Sequence, residues 1–211
     1  MPSQRFFPRI HPSEGRVAQE RAVQTRALVL AAAAEEFAAN GYDGTKLLNV
    51  VERTSMTKGA LYGHFSSKEE LAATLIEEAG NELIARVERR AEGTTALLAL
   101  RETMLDLTRH LRRDALARSA LRLAVEAPHL DRHAHGLVGR ISLSLARAVA
   151  RAHAESRVMG RHPPDTVARL LMSLFFEIPH PAPRDDADAA RRFDDLWKAV
   201  SGPRDGGSDT V

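Results

Sequence analysis

From residue 20 onward the apolar positions of this chain recur at helical spacing, and no run of alternating β-branched residues interrupts them. That periodicity predicts an all-α protein. Val23, Ala27, Leu30, Ala34 and Phe37 form one stripe, which places a helix over 20–39. Asn40 and Gly41 stop it, because both tolerate left-handed backbone. Two short helices joined by a tight turn follow between Thr45 and Phe65, with Leu47, Val50, Val51 and Leu61 as the apolar face that packs them together. Ser67 and Glu70 then stand in the S-x-x-E capping pattern that opens a long helix over 67–92. Its apolar positions run from Leu71 and Leu75 to Leu83 and Val87, as expected of a helix that bridges two domains.

Further helices are predicted over 95–112, 115–127, 131–154, 167–178 and 187–200. Gly93-Thr94, Pro128, a 155–164 loop with Gly160 and a Pro-Pro pair, and a 179–186 stretch opened by Pro179 separate them. Asp165 is placed to cap the 167–178 helix. The chain thus divides into a flexible arm over 1–19, a three-helix domain over 20–66, a helical bundle over 67–200 and a polar tail over 201–211. In the arm, Arg5, Arg9 and Arg16 read either as phosphate or minor-groove contacts or as part of a solvated tail. There is no internal repeat.

Composition narrows the function classes. The 211 residues suffice for one or two domains with a real core. Cysteine is absent, which removes disulfides, thiolate metal sites and a cysteine nucleophile and fits a reducing compartment. No segment reaches the roughly 18 apolar residues of a membrane span, and the N-terminus lacks the apolar core of a signal peptide. A cytoplasmic protein is the expectation. No nucleophile elbow, phosphate loop or paired carboxylates point to an enzyme or a cofactor. His129, His133 and His135 cluster near Asp131, but without an H-E-x-x-H pattern they read as ordinary surface histidines, and no metal site is expected. Net charge is only +2, yet residues 1–68 carry nine Lys/Arg against six Asp/Glu, whereas the rest carries 21 against 22. The basic excess sits with the paired short helices, which favours nucleic acid as a partner.

Those helices have the layout of a helix-turn-helix, in which one helix braces across the duplex and the next presents its N-terminal side chains to the major groove. Lys58 and Lys68 are placed to neutralise phosphates. Thr45 and Thr57 occupy N-cap positions, and a helix N-terminus itself favours phosphate. Gly59 leaves room for close approach of backbone to DNA, and Tyr62 and His64 lie on the same second helix. Lys46, Thr57, Lys58 and Gly59, at helix starts, are the candidate base readers, since lysine donates to guanine edges and threonine meets the thymine methyl.

Residues 21–71 resemble the DNA-binding domain of the TetR family of bacterial regulators. The match is carried by G-Y-D-G-T at 41–45, T-K-G-A-L-Y-x-H-F at 57–65 and K-E-E-L-A at 68–72, in register and without gaps. Val50-Val51, the T-K-G-A-L-Y string and A-L-R-L-A at 120–124 are similar to the γ-butyrolactone receptor and pseudo-receptor group of actinobacteria. The resemblance implies a repressor that binds double-stranded operator DNA as a homodimer, with Tyr62 and Lys68 as backbone clamps. It implies release by a small, apolar molecule such as a γ-butyrolactone-type signal or an antibiotic-pathway metabolite. Leu83, Val87, Met104, Leu107, Leu123, Val138 and Ile141 are the candidate effector pocket. Leu170, Leu171, Leu174, Phe175, Phe193, Leu196 and Trp197 are the candidate dimer interface.

Some positions depart from the family pattern. Ser55 stands where the turn carries glycine, Gly63 replaces a bulky residue, and Leu48 lies where relatives carry a polar contact. Near Leu137 the receptor group carries a pocket tryptophan, whereas the single tryptophan here is Trp197. These departures keep a second reading open: a small-molecule- or partner-binding helical protein whose DNA reader has decayed.

Overall fold

The computed structural model describes residues 12–89, 93–132, 136–155 and 162–176, with 191, 193–195 and 197–198. Every regular element among them is helical, and none is long and apolar enough to cross a membrane. The 201–211 tail and residues 1–11, with Arg5 and Arg9, lie outside the described residues.

Helix α1 (Pro12–Gly44) begins well before residue 20, so the expected arm is helical from Pro12. A proline in the first turn costs no hydrogen bond, because N–H groups there have no intrahelical partner. The expected apolar stripe also needs correction. Val29, Leu30, Ala33, Ala34 and Phe37 are buried, whereas Val23 is 63% exposed and Ala27 is exposed. The early turns of α1 project past the elements that cover the rest of it. Gly41 breaks the helix with φ +71°, the left-handed value expected of the Asn40-Gly41 stop.

The motif follows as α2 (Leu47–Thr54) and α3 (Lys58–His64). The long helix α4 (Lys68–Glu88) is N-capped by Ser67, whose hydroxyl accepts from Glu70 N–H at 3.2 Å. Glu70 does not return to Ser67 as in a standard capping box. Its carboxylate takes the N–H and hydroxyl of Ser66, at 2.7 and 2.5 Å. These bonds hold the Glu70 carboxyl below the ordinary carboxylate range.

Helix α5 (Ala96–Arg113) is capped by Thr95, and α6 (Ala115–Glu126) by Asp114, which accepts from the N–H groups of Leu116 and Ala117. A single 3-10 turn, Pro128–Leu130, separates α6 from α7 (Gly136–Glu155). Residues 131–132 are not helical as expected. Asp131 instead accepts the N–H of Leu137 in the first turn of α7. Helix α8 (Pro164–Phe176) also starts on a proline, ahead of Asp165. The described residues of the last segment are helical, and Asp194 ties it to α5 through Arg101 at 2.7 Å.

One apolar core runs through the molecule. Phe37, Val50, Leu61, Phe65 and Leu71 fill its reader end, and Leu83, Met104, Leu107, Leu123, Leu137 and Leu145 fill the bundle. Two helices link the ends. Helix α4 does so as its sequence predicts, and α6 does so as well, packing on α1 and α4 at once.

Candidate nucleic-acid interface

The reader is built outward from Leu61, which is fully buried, so α3 must turn its other faces to solvent. Thr57 caps α3 by accepting Ala60 N–H at 3.2 Å. Lys58, Gly59 and Tyr62 are exposed on its open side, and the Lys58 ammonium lies 5.9 Å from the centre of the Tyr62 ring. Tyr62 is 44% exposed. Lys46, just before α2, is exposed too. On α3 a cation, a phenol and a capped helix N-terminus are exposed together, a set suited to phosphate and base edges. Gly63 faces open space, with nothing within 4 Å of where a side chain would start. His64 is half-buried.

Two expected site residues stand differently. Thr45 is 2% exposed and does not cap α2. Its hydroxyl donates to Gly41 C=O at 2.7 Å and locks the turn before the motif. The residue at the α2 cap is Lys46, which makes no side-chain cap bond. Lys68 is half-buried, with its ammonium 4.5 Å from the Tyr42 ring centre and 3.5 Å from Asp43 C=O. Ser55 does take the left-handed conformation, φ 53°, and its N–H still closes α2 on Glu52 C=O. Leu48 is 59% exposed.

Sequence reasoning missed the group that fixes α2. Glu36 of α1 is 4% exposed and accepts from Arg53 Nε at 2.5 Å, Asn40 Nδ2 at 3.0 Å and Asn49 Nδ2 at 3.1 Å. Burial pushes this carboxyl's pKa up, but the bonds from Arg53 and Asn49 and the Arg53 charge outweigh it, and the net shift is downward. A glutamate inside an apolar stripe, with Asn49 and Arg53 four apart on the next helix, was the signal available.

Residues 29–75 match the family described as bacterial regulatory proteins, tetR family. The A-factor receptor protein of Streptomyces griseus is 36% identical over 112 residues, covering 53% of this chain and 39% of that protein's length. The solved TetR regulator TylP from Streptomyces fradiae is 31% identical, with a TM-score of 0.60 and 86% of both chains covered. The chain belongs to the TetR family. A solved gamma-butyrolactone receptor, ArpA-like, has a TM-score of 0.69 at 27% identity, covering 85% of this chain and 87% of its own. CprB from Streptomyces coelicolor, solved with its biological operator sequence, has a TM-score of 0.70 at 28% identity, covering 85% and 88%.

The second domain of this TetR-family chain packs its expected pocket residues tightly. Leu83, Met104, Leu107, Leu123 and Ile141 are at most 3% exposed, and Val138 is partly buried against them. Val87 alone of that set lines an open cleft of about 350 Å³ between α4 and α7, with Glu88, Ser144, Arg147 and Arg151. The Ser144 hydroxyl donates to Glu88 across it at 3.0 Å. Of the candidate dimer residues, Leu171, Phe175, Phe193 and Trp197 belong to the chain's own core, where Phe193 and Trp197 stack at 5.9 Å. They pack within the chain, and Leu170 is 49% exposed. The Leu174 and Leu196 side chains lie outside the described residues, as do His133 and His135. His129 packs edge-on to Tyr42 with ring centres 6.3 Å apart.

Proposed function

We propose that this chain is a transcriptional repressor that binds operator DNA as a homodimer and is released by a small molecule. The observation that carries the reading is the exposed Lys58–Tyr62 side of α3, with its Thr57 cap, on a helix anchored by the buried Leu61. In this reading Lys58 and Tyr62 contact phosphate, Lys46, Thr57 and Gly59 approach base edges, and His64 and Lys68 support the DNA-facing end from half-buried positions. Thr45 serves by locking the turn that delivers α2. CprB, solved with its operator, lends support from a similar fold.

A dimer is needed because one recognition helix reads one half-site, and two must be held one helical turn apart, about 34–36 Å. Leu170 and its neighbours on α8 are the surface proposed to meet the second copy. The effector is proposed to act on the second domain, between α4 and α7, and to favour a form whose two readers no longer match that spacing. The receptor names of the relatives make a γ-butyrolactone-type molecule the first class to try.

Selection of duplexes from a random library by the purified chain tests the reading. The expected product is a sequence with two-fold symmetry and half-sites one turn apart, bound by two chains in sedimentation. Lack of enrichment, or a single chain on an asymmetric site, contradicts it and favours a small-molecule-binding protein without a working reader.

A further inference from the structure

The A-L-R-L-A string at 120–124 has no role in the reader as described, yet its arginine reaches the reader directly. Arg122, on α6, donates from Nη1 to the C=O of Ala38 at 2.9 Å. Ala38 lies in the last turn of the continuous part of α1, where carbonyls have no intrahelical donor. A guanidinium there satisfies the carbonyl and also meets the negative end of the helix dipole. The Nε of Arg122 holds Glu126 Oε1 at 2.6 Å, and Glu126 Oε2 accepts Tyr42 N–H at 2.8 Å. One ion pair on α6 thus grips the chain on both sides of Gly41.

Gly41 is shaped for that grip. A Cβ there would stand 2.4 Å from Glu126 Oε2 and 2.8 Å from Arg122 Nη2, and its φ of +71° already disfavours a side chain. The grip continues into the motif. Thr45 locks onto Gly41 C=O, and the Tyr42 ring stacks on Phe37 and carries Lys68 on its face. On the other side, α6 is fixed in the bundle by the buried Ala117, Ala120, Leu121 and Leu123.

We infer that Arg122 and Glu126 are positioning residues of the DNA reader: held on the second domain, they fix the α1–α2 turn, so that a shift of α6 reaches the motif without passing through α4. This rests on the chain's being a DNA-binding regulator and names how its second domain governs the reader. Neither residue touches DNA. Both act through the turn at Gly41 and Tyr42.

The test compares Arg122→Met and Glu126→Gln with wild type, as full-length chains, on a duplex selected by the wild type and on a scrambled duplex. Positioning residues set the geometry of specific binding and leave phosphate neutralisation alone. Affinity for the selected duplex is expected to fall about tenfold or more in Arg122→Met and less in Glu126→Gln. Scrambled-duplex affinity and the salt slope should hold, and Arg122→Lys should recover part of the loss. Selected-duplex affinity within about twofold of wild type in both variants overturns the inference. So does an equal loss on both duplexes with a lowered Tm, which marks general destabilisation. Glu126→Gln keeps side-chain volume and an acceptor for Tyr42, so it stays informative if Arg122→Met folds poorly. Failure of the wild type to bind any duplex in a salt-dependent way would instead contradict the regulator reading itself.

Discussion

The reader and the bundle behind it are held by different forces. In the bundle, long apolar side chains from α4, α5, α6 and α7 interlock, with Leu83, Met104, Leu107, Leu123 and Leu137 all at 2% exposure or less. The reader is too short to build such a core. Its α2 and α3 each contribute one fully buried side chain, Val50 and Leu61, set against Phe37, Phe65 and Leu71, and polar ties add to this packing. Glu36 clamps Asn49 and Arg53, Thr45 locks onto Gly41, and Glu126 holds Tyr42 from the neighbouring domain. Apolar packing tolerates small rotations and is blind to pH. Hydrogen bonds to a buried carboxylate fix an angle and weaken when the carboxylate is protonated. The reader is therefore the half whose geometry single polar groups decide.

The largest expected effect breaks the bundle. Met104→Ala empties a fully buried site and is expected to cost about 2–5 kcal/mol, read as a lowered midpoint in urea unfolding. A cost near zero would mean that the bundle is loosely packed and that the contrast with the reader is wrong.

Glu36→Gln attacks the reader, where about 1–3 kcal/mol is expected, because the buried oxygens lose a charge-assisted partner in Arg53. Its pH dependence sharpens the point. The folded pKa of Glu36 is lowered from the ordinary 4.5, so its contribution is fully present above that value and is lost as pH falls through the lower folded value. The stability gap between wild type and Glu36→Gln should be constant near neutrality and close on acidification. A gap that persists in acid would show that the amide fails for steric reasons and that the carboxylate charge is incidental.

The smallest effect is a gain. Ser55 is the one non-glycine residue with positive φ among the described residues. Ser55→Gly should stabilise the reader by about 0.5–1 kcal/mol, since relief of left-handed strain exceeds the entropy cost of glycine by only a little. Unchanged or lowered stability would mean that the turn holds serine without strain.

Local pattern made most of the helices legible. The predicted 95–112 and 115–127 helices are Ala96–Arg113 and Ala115–Glu126, and Thr57 caps α3 as its position implies. Gly41 stops α1 because a residue free to turn left-handed was needed there. Local pattern misplaced the start of α1, since periodicity records which positions are apolar and not where the neighbouring helices end. It also misplaced Thr45, since a threonine before a helix reads as a cap until the Gly41 carbonyl is seen to compete for its hydroxyl. Glu36 with Arg53, and Arg122 with Ala38, were invisible because the partners lie 17 and 84 residues apart. The candidate dimer residues were ambiguous for a related reason. An apolar stripe on α8 and the last helix serves a partner or the chain's own core equally well, and here Leu171, Phe175, Phe193 and Trp197 serve the core.

The central claim is that α3 presents a phosphate- and base-reading surface. The most direct test is binding of a wild-type-selected duplex across a salt series, for the wild type, Lys58→Ala and Tyr62→Ala. The account predicts a steep loss of affinity with salt and a slope smaller by about 1 in Lys58→Ala. Tyr62→Ala should bind more weakly with the slope nearly kept. Affinity indifferent to salt, or a wild-type slope and affinity in both variants, would contradict it.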